Sequence, residues 1–129
     1  MSRCRCGSHR LYKRCCQPWH QGRPAPTAEA LMRSRYSAYA LGLAAYILDT
    51  TDPQSALVEP DRAAWLESVR RFSTTTTFER LEVHDQREDG DQGEVHFTAH
   101  LRQGGHEAPM TERSRFVRRD GRWYYTGRA

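Results

Sequence analysis

The chain has 129 residues and a mass of 15.0 kDa, room for one compact domain or a small domain with an appendage. Its 13 aromatic residues exclude a disordered polymer, although 28% of the chain is charged and 37% hydrophobic. No stretch approaches the roughly 20 apolar residues of a membrane helix, and with no apolar run behind Met1-Ser2-Arg3-Cys4 no secretory leader is expected. A soluble, cytoplasmic protein is expected. The 20 Lys+Arg against 16 Asp+Glu give a net charge of +4, unevenly spread. Residues 1–35 hold eight basic side chains and one acid, for a balance of +7, while the rest of the chain stands at −3. Every cation except Lys13 is arginine. Codon bias explains that choice, but arginine also forks onto phosphate and carboxylate better than lysine.

All four cysteines lie at the basic end, as Cys4, Cys6, Cys15 and Cys16, in the pattern C-x-C-x8-C-C. Disulfides do not suit a chain expected in a reducing compartment, and four unconnected thiols crowded into one loop would serve no purpose. A tetrahedral Zn2+ site of four thiolates fits the residue types, in a compact knuckle rather than a finger or ribbon. Gly7-Ser8 supplies the turn between the pairs. So short a segment has no core of its own, and structural zinc contributes about 10–16 kcal/mol in small peptides. His9 and His20 are spare ligands, but four thiolates already close the shell, which argues against a catalytic metal.

The run Cys4-Arg5-Cys6-Gly7-Ser8-His9-Arg10-Leu11-Tyr12-Lys13-Arg14-Cys15-Cys16 resembles the SEC-C motif, CPCGSGxxYKxCC, the zinc knuckle found at the C-terminus of the translocase ATPase SecA. Arg5 stands where the motif has Pro and His9 where it has its second Gly, so His9 meets a backbone conformation easier for glycine. In SecA the knuckle helps contact the chaperone SecB. The resemblance therefore implies zinc binding and a role in contacting another protein.

Residues 1–20 are assigned to the knuckle and 21–27 to a linker. Pro18, Gly22, Pro24 and Pro26 argue against regular structure from Gln17 to Pro26. Thr27 then caps a helix running from Ala28 to about Leu48, with Met32, Tyr36, Tyr39, Leu43 and Ile47 at helical spacing and Gly42 bending or splitting it. A second helix is predicted from Asp61 to Phe72, with Trp65, Leu66, Val69 and Phe72 on one face.

After Phe72 the period shortens to two. Thr74–Thr77 favours β structure and Phe78 to Val83 alternates loosely, up to a turn at Glu88-Asp89-Gly90-Asp91. From Glu94 to Leu101 the alternation is clean, with Val95, Phe97, Ala99 and Leu101 inward and Glu94, His96, Thr98 and His100 outward. Gly104-Gly105 turns into a strand from Met110 to Val117, and Asp120-Gly121 turns into a last strand from Arg122 to Thr126. Helices followed by four consecutive strands make an α+β domain, an antiparallel meander over helices.

That order is similar to the NTF2-like cone. Leu31-Met32-Arg33-Ser34-Arg35-Tyr36-Ser37-Ala38-Tyr39, Glu112-Arg113-Ser114-Arg115-Phe116 and Gly121-Arg122-Trp123-Tyr124-Tyr125 resemble the YchJ-like family of uncharacterised bacterial proteins. There a SEC-C knuckle precedes an NTF2-like domain, implied here for residues 28–129. Many relatives carry a second knuckle, and no second copy of the motif occurs in this sequence. The family brings no established reaction. Its cone fold makes a homodimer plausible.

Within the domain, Arg35 falls between Met32 and Tyr39 on the buried stripe, and Glu112 shares the core face of its strand with Ser114 and Phe116. An ion pair between Arg35 and Glu112 is expected, chiefly as a lock between helix and sheet; breaking such a buried pair costs roughly 3–5 kcal/mol. Alternatively, Arg35, Tyr36, Tyr39 and Glu112 line the mouth of the cone and bind a small polar or anionic ligand. Paired outward histidines, His96 and His100, read as a solvated sheet face.

Three function classes follow. The favoured one is a zinc-knuckle interaction or ligand-binding module whose basic end docks on a protein or ribosomal surface. The second is an isomerase- or dehydratase-type enzyme with Glu112 as base and Tyr36 or Tyr39 as donor, which rests on fold analogy. The third is nucleic-acid binding through Arg3, Arg5, Arg10, Lys13 and Arg14, with Tyr12 or Trp19 stacking on bases.

Overall fold

The structure, a computed structural model, describes residues 2–129. A 3-10 turn, Tyr12–Arg14, and a one-turn helix α1, Gln17–His20, follow the first cysteine pair. Regular structure in α1 departs from the irregular stretch expected between Gln17 and Pro26. Pro18 sits in its first turn, where a helix has no use for the missing N–H.

Helix α2 spans Ala28–Leu41, and the Thr27 hydroxyl accepts from the Ala30 N–H at 3.0 Å. Gly42, with φ of 76°, ends it in the left-handed conformation, so the long apolar run becomes two helices, α2 and α3, Ala44–Asp49. Helix α4 spans Arg62–Thr75, capped by Asp61. It absorbs Thr74 and Thr75, expected as strand, because both hydroxyls bond back to the Arg71 carbonyl and extend the last turn.

Strands β1 (Thr76–Asp89), β2 (Gln92–Gln103), β3 (His106–Glu107), β4 (Met110–Arg119) and β5 (Arg122–Arg128) build one antiparallel sheet. Its order is β1-β2-β4-β5, with the short β3 pairing to β2. Two residues are too few for alternation to reveal β3. Register shifts in β1 at Phe78/Arg80 and Val83/Asp85 bend the sheet around the helices, leaving a curved, unclosed cone.

The inner faces of β1, β2, β4 and β5 meet α2. Leu31, Met32 and Tyr36 pack with Phe78, Phe97, Phe116 and Trp123 in the main core. Gly93 lets α2 come this close, since a Cβ there would stand 2.8 Å from that of Ala28 and 3.3 Å from the Trp123 ring. A second cluster, Ala38, Ala44, Ile47, Leu48 and Val69, ties α2, α3 and α4 together. Strand β1 is a free edge of the sheet, and the N-terminal segment lies along it. Arg5 Nη2 donates to the Phe78 carbonyl at 3.0 Å, and a Cβ on Gly7 would stand 3.4 Å from the Leu81 carbonyl. No helix is long and apolar enough to cross a membrane among the described residues.

Candidate functional site

The N-terminal loop closes on itself through a Cys4 N–H bond to the Arg10 carbonyl at 2.7 Å and an antiparallel bridge between Arg3 and Leu11. Two left-handed residues make the turn, Gly7 at φ 83° and His9 at φ 68°. The second is the position where the sequence departs from glycine, and the imidazole residue takes the strained conformation.

This turn buries all four cysteines in one cluster, with the four Sγ atoms within 4.8 Å of one another. Cys6 and Cys15 Sγ are 3.5 Å apart, and Cys15 and Cys16 Sγ 3.9 Å. Sulfurs around a tetrahedral ion with bonds of about 2.3 Å would stand roughly 3.8 Å apart, so the set fits a thiophilic metal. The Ser8 hydroxyl lies 3.1 Å from the Cys15 Sγ. Hydrogen bonds with Cys16 and Cys4 hold the Cys6 thiol far below its ordinary value, while hydrogen bonds with Cys4 and then Cys6 push Cys16 far up. Burial pushes Cys15 up to about 11. Thiols packed this tightly resist carrying more than one negative charge, a resistance that a cation between them removes.

Neither spare histidine joins the cluster. His9 is exposed, and His20 joins the knuckle to the cone. The Ser34 carbonyl can only accept, at 2.8 Å, so His20 Nε2 carries the proton and Nδ1 accepts from the Tyr12 hydroxyl at 2.7 Å. Beside it, Arg33 Nη1 donates to the Cys6 carbonyl at 2.9 Å while its Nε pairs with Glu29. Burial holds His20 below the ordinary imidazole value of 6.5. The unfolded chain therefore takes up a proton that the folded chain resists. This contribution to stability is complete above about pH 6.5 and is lost progressively as the pH falls below it. Melting curves between about pH 5 and 8 should show this acid-side loss, and His20→Gln should flatten it. An unchanged slope in that variant would remove His20 from the account.

Under the curve of the sheet lies a cavity of about 360 Å³ that gathers Arg35, Tyr36, Tyr39 and Glu112. The expected ion pair between Arg35 and Glu112 does not form. Arg35 Nη1 donates instead to the Ile47 carbonyl at 3.0 Å and to the Thr50 and Thr51 hydroxyls at 2.8 and 3.3 Å, and the guanidinium lies 4.6 Å from the Tyr125 ring centroid. Glu112 finds its cation on the neighbouring strand, Arg128 Nε at 3.2 Å, and accepts from the Tyr125 hydroxyl at 2.7 Å and from Ser114. The physical reason is supply: the end of α3 offers Arg35 three oxygens, and β5 offers Glu112 a closer cation. Tyr125, Thr50, Thr51 and Arg128 were missed by sequence reasoning. Only Tyr125, an aromatic on the last strand, carried a signal of burial. Burial pushes Tyr36 up to about 12, and its hydroxyl has no partner. Burial and then the Glu112 carboxylate push Tyr125 up. A larger depression of about 740 Å³, between α1 and β5, contains none of the four predicted cone residues.

On the outer face of the sheet, His100 Nε2 meets Glu82 at 2.5 Å and His84 meets Thr98 at 2.7 Å, the pairings of a polar surface.

Comparison with known proteins matches residues 27–127 to the family model described as the YchJ middle NTF2-like domain. A UPF0225 protein of Deinococcus radiodurans is 46% identical over 124 residues, which span 95% of this chain and 85% of that protein. Among solved structures, a SEC-C motif containing protein from Rhodopseudomonas palustris superposes with a TM-score of 0.85 at 40% identity, covering 97% of this chain and 95% of the other. Another, from Psychrobacter arcticus, superposes with a TM-score of 0.81 at 29% identity, covering 97% and 80%. With its cysteine cluster docked on a cone of this fold, the chain belongs to the YchJ family of SEC-C, NTF2-like proteins.

Proposed function

We propose that this protein is an interaction module in which Zn2+, held by Cys4, Cys6, Cys15 and Cys16, orders a knuckle that presents a basic face to an acidic partner protein. One observation carries the reading. Arg3, Arg10, Lys13 and Arg14 line a single shallow concavity on the knuckle with His9, and none of the four cations has an acidic partner among the described residues. Unpaired cations clustered on a rigid support steer and orient an oppositely charged surface.

The other two classes find less support. Nucleic-acid binding needs free aromatic faces, whereas Tyr12 is tied to His20 and Trp19 packs against the main core. For an enzyme, Glu112 would serve as base, but its oxygens are engaged by Arg128, Tyr125 and Ser114, and Tyr36 and Tyr39 make no bond to it.

Fluorescence anisotropy with a labelled Glu/Asp-rich peptide and a single-stranded RNA of equal charge tests the reading on zinc-loaded protein. The peptide should bind more tightly, and Arg10→Glu/Arg14→Glu should weaken it roughly tenfold or more. Preference for the RNA, or indifference to charge reversal, would overturn the proposal.

A further inference from the structure

We propose that the cone cavity is a binding site for a small monocarboxylate with an apolar body, anchored by Arg35. The inference stands apart from the basic face of the knuckle.

Arg35 is only 8% exposed, lines the cavity, and has no carboxylate partner among the described residues. Its recorded bonds all run through Nη1, to the oxygens at the end of α3. Its Nε and Nη2 make none. Those two N–H groups form one straight edge of the guanidinium, the edge whose parallel donors match the two oxygens of a carboxylate. A cation buried without its counter-ion is costly, and neutral oxygens and the Tyr125 ring offset only part of that cost.

Glu112 does not fill the role, because its oxygens are taken by Arg128, Tyr125 and Ser114 and no bond joins it to Arg35. Arg35 and Glu112 are the charged residues that line the cavity, and Arg128, whose side chain lies 72% exposed outside it, offsets Glu112 from the rim. That balance sets the charge of the guest. A monoanion completes it, whereas a phosphate dianion would leave an excess charge beside the Glu112 carboxylate.

The rest of the wall sets the guest's body. Met32, Phe72, Phe97 and Leu101 are apolar, and about 360 Å³ lies in the range of sites for small organic molecules. Tyr36, 6% exposed, lends the same space its ring, while its hydroxyl lies toward Arg5, Glu79 and Cys6. One charged side chain, nine-tenths buried and incompletely bonded, thus borders an apolar cavity. A packed structural lock between helix and sheet would not leave that edge of the guanidinium free.

Two-dimensional NMR titration of the zinc-loaded full chain with hydrocinnamate, and with its neutral amide hydrocinnamamide, tests the proposal. Hydrocinnamate should bind saturably and shift the Arg35 Nε–H and the amides of Phe97 and Leu101. Losing the charged hydrogen bond should leave the amide roughly 10- to 100-fold weaker. Arg35→Lys should weaken the acid about tenfold, since an ammonium lacks the fork, and Arg35→Met should abolish discrimination between acid and amide. Should Arg35→Met fail to fold, Ala99→Phe, which fills the cavity from β2 and keeps the guanidinium, must abolish binding of both compounds. Equal affinity for acid and amide would overturn the proposal. So would shifts confined to the knuckle, or the absence of any shift with millimolar hydrocinnamate or hexanoate.

Discussion

Replacing Cys15 and Cys16 together by serine is expected to abolish stoichiometric zinc and to unfold the knuckle while the cone stays folded. The knuckle's own resources are a 3-10 turn, a four-residue helix and one isolated bridge, far too little to hold a chain against its conformational entropy. Its buried cluster consists of the four cysteines, with only Tyr12 packed against them. A metal held by the four thiolates would supply the missing stability, and for zinc, the ion proposed above, that is about 10–16 kcal/mol of apparent binding free energy in comparable peptides. The cone draws on a separate core, centred on α2 and the sheet. What the cone loses is a seam: Arg33 to the Cys6 carbonyl, Arg5 to the Phe78 carbonyl, and the bridge through His20. Elemental analysis should read about one zinc per chain in the parent protein and none in the variant. Amide spectra should collapse for the knuckle and persist for β2 and β4. Zinc retained by the variant would refute the ligand set, and loss of the whole spectrum from protein dilute enough to stay monomeric would show that the seam carries the cone.

Trp123→Ala should cost about 3–5 kcal/mol and lower the melting temperature by roughly 10–20 °C. Trp123 is 3% exposed and lies where β5, Gly93 of β2 and the start of α2 converge. Its indole fills the space that the missing Cβ of Gly93 leaves, and Arg118 covers it at 5.1 Å from the ring. Removing the ring opens a void that cannot collapse, since α2 already touches the sheet there. Its indole N–H has no partner, so no hydrogen bond is lost with it. The residue does not border the cone cavity. Calorimetric or fluorescence melts should show the full drop, and a loss below about 1 kcal/mol would mean that the region repacks.

Much of this architecture is written in local patterns. The cysteine spacing predicts one cluster, Thr27 predicts a helix start, and alternation from Val95 to Leu101 predicts which side of β2 is buried. Even the left-handed backbone at His9 follows from the departure from glycine in the turn. Pairing across the fold is less legible. Periodicity places Arg35 and Glu112 on inward faces, and both do line the cavity. It does not say how far apart two inward residues lie, or what other partners stand nearby. Thr50 and Thr51 reach Arg35 because Gly42 turns the chain back on itself, and Arg128 reaches Glu112 through the pairing of β4 with β5. Helix α1 was hidden for another reason: one turn among prolines has no period to detect.

The placement of the knuckle along β1 bears on how molecules of this protein behave in company. An unpaired strand edge is a template on which another chain can add, and β1, at 14 residues, is long. Its far half protects itself with Asp85, Arg87, Glu88 and Asp89 and with a bulge at Val83/Asp85. The near half, around Phe78 to Leu81, has the knuckle instead. Stripping the metal bares that half, and the expected result is concentration-dependent aggregation rather than only a loose N-terminus. On that expectation the cysteine cluster covers the edge of the cone as well as shaping its own loop.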